Sequence, residues 1–384
     1  MEPENPTPAP EERRSENGLP LPAPETPQLL PPPESHGLHW IFIGPNGLRA
    51  GWSVAIFFAI FIGLGIGMSA AAHAVMHAMH ITATKAMTAK STIVNEGLGV
   101  LALLIAAFVV SRIERRRVVD YNLRGPKRLA HFGVGLLAGF AALSVLVGAM
   151  AAGGWLHIGS AGMSDKSVVI YACAWGVAFL LVGCMEEGLA RCYLLFTLGR
   201  GLNFWWALGL VALMCGRVAL TPKANGAWGA YAIALLGLVP CFLLQMRKAP
   251  STGFWNAAWV TSAFFGAAHT GNGGENWIGI FAAAGIGFVF CVSVYVTGSA
   301  WWAIGCHAAW DWGETYFYGT ADSGFVAKGH LLSAAPAGNV LWSGGADGPE
   351  GSLLVLAVIV LLLIALLAIY GRRPNGAARL RAME

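Results

Sequence analysis

Three short groups of ionisable residues stand out because each interrupts a long apolar run. The first reads Glu186-Glu187-x-x-x-Arg191 within the run 179–195. The second is Phe265-x-x-x-His269, at the end of the run 254–270, with Asn272 three residues on. The third is His307-x-x-x-Asp311, followed by Glu314, in the run 299–318. An ionisable side chain in a membrane-spanning helix costs about 2.5–3.5 kcal/mol on insertion scales and marks a functional candidate by default. Glu187 and Arg191 are four apart and can pair on one helical face, whereas Glu186, about 100° round the helix, is left to face a cavity. His307, Asp311 and Glu314 share a face, and the small residues Ala303, Gly305, Ala308 and Ala309 let another helix come close. Carboxylates and imidazoles from three converging helices suit activation of a water by a base, with polarisation of a carbonyl. Read from these residues alone, each group also has a purely structural explanation, as a buried polar network between helices.

Such residues need helices to hold them. The chain has 384 residues, 56% hydrophobic and 11% charged, with a mean hydropathy of +0.60. Soluble domains carry about 25% charged residues, so this chain cannot cover a water-facing surface. A soluble enzyme, a secreted disulfide scaffold and a nucleic-acid reader are excluded. Apolar runs near 51–72, 94–111, 132–152, 167–198, 203–220, 228–246, 254–270, 277–297, 299–318 and 352–371 approach the about 20 residues needed to cross a bilayer. In lipid every backbone group must be satisfied within its own segment, so these are helices. The expected fold is an all-α, polytopic integral-membrane bundle of about ten transmembrane helices (eight to ten).

Residues 1–39 are polar and hold 11 of the 19 prolines in the chain. Seven acids there face only Arg13 and Arg14, a net of −5, so the overall +4 means +9 for the remainder. This segment is expected to be a disordered cytoplasmic tail, and it has no signal-peptide pattern. Arg112, Arg115, Arg116, Arg117, Arg124, Lys127 and Arg128 form the densest basic cluster; Arg247 and Lys248, and Arg372 and Arg373, follow later spans. With ten spans all three fall on one side, which puts both termini in the cytoplasm and fits a bacterial inner membrane. Lys85 and Lys90 lie on the other side and run against the trend. Cys173, Cys184, Cys192, Cys215, Cys241, Cys291 and Cys306 include no C-x-x-C pair and read as small packing residues. His73, His77 and His80 make a helical stripe, read as an interfacial polar face rather than a metal site.

Glu-Glu-x-x-x-Arg, Phe-x-x-x-His and His-x-x-x-Asp, in this order on hydrophobic helices, resemble the CPBP family of intramembrane proteases, which includes CAAX proteases and bacteriocin-processing proteins. Cys-Tyr-Leu-Leu after Arg191 and Thr-Gly-Asn272 after His269 agree with the family's local pattern. The resemblance covers a core of residues 167–324, with N-terminal spans in 40–160, two extra spans near 203–246 and a last span at 352–371. It implies that Glu186 is the general base, that His269 helps hold the nucleophilic water and that His307 helps stabilise the oxyanion. Glu187 and Arg191 would be the supporting pair, Phe265 would pack the helix of His269, and Asn272 would support the site.

Two departures from the family matter. Asp311 stands where the family often has Asn, whose amide can donate to an oxyanion; an ionised Asp cannot. It must be protonated, orient His307 or bind a metal. Glu186, His269, His307 and Asp311 offer an N/O ligand set for a divalent metal such as zinc, and both a metal-assisted and a metal-free glutamate mechanism stay open. The second departure is the pair of spans between Arg191 and Phe265, one of which carries Arg217 with no assigned role. Depth is a further difficulty, because Glu186 and His269 both lie late in antiparallel spans and meet only if a helix is long, tilted or shifted. The expected partners are the lipid bilayer and a membrane-associated protein or peptide substrate, with no nucleic acid. The alternatives are a non-catalytic immunity or scaffold protein of the same fold, and a proton-coupled transporter.

Overall fold

The computed structural model describes residues 39–44, 47–80, 87–160, 163–221 and 226–371. The expected Pro-rich tail at 1–39, apart from its last residue, and Lys85, Arg372 and Arg373 lie outside them. The chain divides into two units, Met1–Asn46 and Gly47–Glu384. In the first, His39–Phe42 makes one short helical turn.

The second unit is an all-α bundle, with a helix at each of the ten expected positions. These are α1 (Ala50–Ala78), α2 (Ala89–Ile113), α3 (Arg128–Ala152), α4 (Asp165–Gly199), α5 (Phe204–Leu220), α6 (Ala227–Met246), α7 (Thr252–Ala268), α8 (Trp277–Thr297), α9 (Trp301–Trp312) and α10 (Leu353–Tyr370). Seven are long and apolar enough to cross a membrane: α1 to α4, α6, α8 and α10. The other three are shorter, with 17 residues in α5, 17 in α7 and 12 in α9. The seven cysteines are all free thiols. His73, His77 and His80, at and just beyond the end of α1, are exposed.

Two of the helices that hold the site are not regular. α4 runs for 35 residues, and its Gly188–Leu194 segment, directly after Glu187, is π-helical. α9 passes into a second π segment, Gly313–Tyr318. A π turn lengthens the hydrogen-bond step by one residue and leaves a carbonyl to be satisfied from elsewhere. Asn122 Nδ2 donates to the Arg191 carbonyl at 2.8 Å, and the Thr320 N–H donates to the Glu314 carbonyl at 3.0 Å. The length of α4 also removes the depth difficulty: Glu186 lies in its middle third rather than at its end.

α9 is the central element, packed mainly on α3 and α4. Small residues bring the backbones together. A Cβ at Gly139 of α3 would run into the Cys306 carbonyl, and one at Gly305 of α9 into the Phe132 carbonyl. On the other flank, a Cβ at Gly183 of α4 would lie 3.1 Å from the Ile304 carbonyl. With little hydrophobic drive between helices in lipid, such close approach supplies the packing contact. α7 packs between α6 and α8, and α10 closes against α8 and α3. At one end the Ala300 N–H donates to the Asn122 carbonyl at 2.9 Å, next to the basic stretch 112–128. There the Glu114 side chain is buried among Arg200 Nη1 at 2.6 Å, Ser53 Oγ and Tyr121 Oη, with Arg116 Nε of the basic stretch at 3.7 Å, so part of that basic charge is structural. At the far end of α3, β1 (Leu156–Ser160) pairs antiparallel with β2 (Leu332–Pro336), with Ile158 opposite Ala334.

Gly139→Leu is expected to lower the thermal unfolding midpoint of the detergent-purified protein, since overpacking costs about 1–3 kcal/mol. Gly133→Ala, on the same helix but with nothing within 4 Å of the added Cβ, should leave it unchanged.

Candidate active site

The close contact of α4 with α9 sets Glu187 against His307. Both Glu187 and Arg191 are fully buried, and Arg191 Nη1 donates to Glu187 Oε1 at 3.1 Å. His307 Nδ1 donates to the same Oε1 at 2.8 Å, across 120 residues of sequence. A carboxylate only accepts, so Nδ1 carries the proton and the ring is held with Nε2 outward. Nε2 lies 3.4 Å from Asp311 Oδ2 and 3.9 Å from Glu186 Oε2. The Glu186 side chain is 31% exposed and faces the cavity, while its neighbour Glu187 is wholly enclosed. Thus the pairing of Glu187 with Arg191 follows the four-residue spacing, and its bond to His307 is added by the tertiary fold.

Arg191 is sandwiched by aromatic rings. Its Cζ lies 4.3 Å from the centroid of Phe265 and 5.3 Å from that of Phe290, a cation–π arrangement that matters most where water is excluded. Gly287 of α8 leaves the room, since a Cβ there would come within 2.5 Å of Arg191 Nη2. Phe265 therefore does more than pack the helix of His269: it also covers the arginine and lies edge-on to His307, with centroids 6.0 Å apart.

His269 follows the last residue of α7, in the 3-10 turn His269–Gly271. Its Nδ1 donates to the Phe265 carbonyl at 2.8 Å, which fixes the tautomer and leaves Nε2 as an acceptor. Arg217 gains a placement here: Nη1 reaches the Ala267 carbonyl at 3.4 Å, in the last turn of α7, which Thr270 Oγ1 also caps at 2.8 Å.

A cavity of about 490 Å³ takes in Glu186, His269, Asn272, His307 and Asp311. All four expected catalytic residues thus line one space, with the Glu187–Arg191 pair behind its wall. Phe265, Ile286, Phe290, Val355 and Ile359 make it apolar on one side. Asn95 and Glu96 of α2 also line it, together with Asp322, Ser323 and Glu350 from the two ends of the 319–352 stretch. Sequence reasoning missed these residues. Glu96 carried part of the signal of Glu186, an acid within an apolar run, but near the start of its run and with no motif around it; Asp322 and Glu350 lie between spans and carried none. Glu314, expected on the His307 face, turns instead to Trp310, whose Nε1 donates to its Oε2 at 3.1 Å. Outside the spans, burial first and neighbouring carboxylates second push Asp322, Asp347 and Glu275 above the usual carboxylate range.

The expected zinc set has the right kinds of atoms, but zinc bonds N and O at about 2.0–2.2 Å, so its ligand atoms must lie within about 4.4 Å of one another. Among the described residues the group of three with ligand atoms within 4.8 Å is Glu314, Asp322 and Glu350. As they stand, Glu186, His269, His307 and Asp311 do not close around one ion.

Fold and site together define a polytopic helical membrane protein with a glutamate–histidine–aspartate cavity buried among its helices. Residues 241–313 match the family model described as Type II CAAX prenyl endopeptidase Rce1-like. The match holds Phe265, His269, His307 and Asp311, and it supports the CPBP (CAAX protease) family and, with it, an intramembrane endopeptidase in general. No curated protein and no solved structure matches the chain.

Arg191→Met should lower unfolding stability strongly, by about 3–5 kcal/mol, because it leaves a buried carboxylate without its cation. Arg191→Lys should recover only part of the loss, since an ammonium cannot present a planar face to Phe265 and Phe290. Denaturation of the detergent-purified variants checks both.

Proposed function

We propose that the protein hydrolyses a peptide bond of a membrane-associated protein or peptide, with Glu186 as general base. The observation that carries this reading is the division of labour between adjacent glutamates: Glu187 is locked in a dry ion pair, and Glu186 is 31% exposed to the cavity beside His307. A carboxylate that is partly solvated can take a proton from a water; one enclosed with an arginine cannot reach it.

In this mechanism Glu186 removes a proton as the water oxygen attacks the scissile carbonyl carbon. His269 Nε2 accepts the water's other hydrogen, its own ring being fixed through Nδ1 and the Phe265 carbonyl. The carbonyl π bond opens to an oxyanion, and His307 Nε2–H donates to it. Because Nδ1 is committed to Glu187, that donation needs the doubly protonated ring, an imidazolium that the Glu187 carboxylate stabilises. Asp311 Oδ2, at 3.4 Å from Nε2, orients the ring on its other side. The tetrahedral species then collapses with cleavage of the C–N bond, and Glu186 returns its proton to the leaving nitrogen.

The reading uses the chain's own groups. Zinc is the second reading, favoured by the free Nε2 of His269; Glu186, His269, His307 and Asp311 would hold the ion, and bound zinc would polarise the carbonyl. It needs the four side chains to draw together and His307 Nε2 to be unprotonated, the opposite of the metal-free requirement. The basic end of the bundle, residues 112–128, supports a cytoplasmic placement of that end, in a bacterial inner membrane. The cavity's apolar side supports a substrate that enters with part of its chain in lipid.

The test is peptidase activity of the purified protein against a membrane-anchored peptide. Glu186→Gln should reduce the rate by about 10²–10⁴-fold with an unchanged melting midpoint. Activity that survives this change sinks the assignment of Glu186 as base, whereas no activity from the folded wild type favours a non-catalytic scaffold or a proton-coupled transporter. Activity kept under a zinc-selective chelator, with the fold intact, supports the metal-free route; loss restored by zinc favours the second reading.

A further inference from the structure

Next to the histidines, three acids from three separate stretches meet at the edge of the cavity. Glu314 comes from the π segment that follows α9, Asp322 from the loop after it, and Glu350 from the 3-10 turn Pro349–Gly351 that leads into α10. One carboxylate oxygen from each lies within 4.8 Å of the other two. Acids this close repel unless a proton or a cation stands between them. Elsewhere in the bundle the chain supplies one: Glu187 has Arg191 and Glu114 has Arg200. Among the described residues, none of the ion pairs includes Glu314, Asp322 or Glu350.

Neutral donors hold the three carboxylates in place instead. Trp310 Nε1 bridges Glu314 Oε2 at 3.1 Å and Glu350 Oε1 at 3.0 Å. Thr315 Oγ1 donates to Asp322 Oδ2 at 2.9 Å, and Ser323 Oγ to Glu350 Oε2 at 2.8 Å. These bonds aim the acids without neutralising them. A separate observation points to what is missing: Glu314 is 0% exposed, and its second oxygen, Oε1, has no hydrogen-bond partner. A buried carboxylate oxygen with neither donor nor counter-ion is expensive, and a metal ion relieves both deficits at once.

We propose that Glu314, Asp322 and Glu350 form a site for a hard divalent cation of the calcium type, separate from the Glu186–His307 site. The donors are all oxygen, which selects hard cations over zinc or copper. Coordination geometry narrows the choice. Two ligands of one ion can be no further apart than twice the metal–oxygen distance, about 4.6–5.2 Å for calcium and about 4.2 Å for magnesium. Oxygens that all lie within 4.8 Å of one another come inside the calcium limit as the side chains stand, and magnesium, which demands near-ideal octahedral geometry and dehydrates reluctantly, is less suited to three carboxylates from separate stretches. Asp322 and Glu350 are partly exposed, so water can complete the shell. The ion ties the ends of the 319–352 stretch to α9 and α10 at the cavity rim. It also offsets the acidic charge that faces Asp311.

Terbium, which replaces calcium, emits when excited through a nearby indole, and Trp310 touches two of the three ligands. Purified full-length protein, stripped of metal, is titrated with terbium under tryptophan excitation. The expected result is emission that calcium displaces and magnesium displaces poorly, with affinity at least tenfold weaker in Asp322→Asn/Glu350→Gln and unchanged in Glu186→Gln. Calcium should also raise the melting midpoint of the wild type and not of the double variant. If the double variant does not fold, Asp322→Asn alone, at a partly exposed residue, takes its place. No emission from folded wild type, no displacement by calcium, or emission that persists in the Asp322 variants overturns the proposal and leaves shared protons as what holds the acids together. Emission lost with Glu186→Gln alone would place the ion in the catalytic cavity and overturn it equally.

Discussion

A single carboxylate oxygen, Glu187 Oε1, organises the bundle, accepting from Arg191 Nη1 at 3.1 Å and from His307 Nδ1 at 2.8 Å. Removing two charges from water costs several kcal/mol per ion, and the attraction between them repays that only with good geometry and further partners. The surroundings supply these. Phe265 and Phe290 cover the guanidinium, Gly287 leaves room for it, and Asn122 satisfies the Arg191 carbonyl in the π segment. Glu187 Oε2 and Arg191 Nε and Nη2 are buried with no protein hydrogen-bond partner. With Glu187 pinned, the helix is fixed about its axis, and the angle between neighbouring helical residues directs Glu186 at the cavity.

The helix irregularities follow from the same demand. α4 and α9 both pass into a π segment beside their motif residues, at Gly188 just after Glu187 and at Gly313 two residues after Asp311. An unbroken α-helix would carry the following turn on a different face. The added residue re-aims the helix, and side chains from other elements take up the freed carbonyls. Conserving every backbone bond inside the segment is the default in lipid, so a departure from it beside the site is a place where the fold accepts local cost to set an orientation.

What could be read in the sequence was whatever depends on neighbours along a helix. Glu187 with Arg191, His307 with Asp311 and Phe265 with His269 are all four apart, and each lies where that spacing puts it. The ten apolar runs were legible for the same reason, as each is a local property. Contacts between distant segments were not. Nothing in the order of residues shows that Glu187 bonds His307, that Arg217 reaches the end of α7, or that Trp310 bridges two acids. Glu96 was visible as a charge in an apolar run but had no motif around it. Asp322 and Glu350 looked like ordinary solvated loop residues until the fold brought them to the rim of the cavity. The four donor atoms of the zinc set were chosen by type, and type does not fix distance.

The cavity therefore has two electrostatic walls of different kinds. Behind His307 the charges are balanced and dry, with Glu187 against Arg191 at 0% exposure on both sides. Towards Asp322 and Glu350 the charges are of one sign and partly wet. Coulomb interactions are several times stronger in the dry wall than in the wet one, since the effective dielectric rises with solvent access. The dry wall is thus suited to hold a ring at a fixed angle, and the wet wall to admit water and tolerate a change of charge. The proposed hydrolysis would use both properties within one space, a rigid group to meet the developing oxyanion and a solvated base to deliver the nucleophile. His307 and Glu186 stand at the junction between the two walls, 3.9 Å apart.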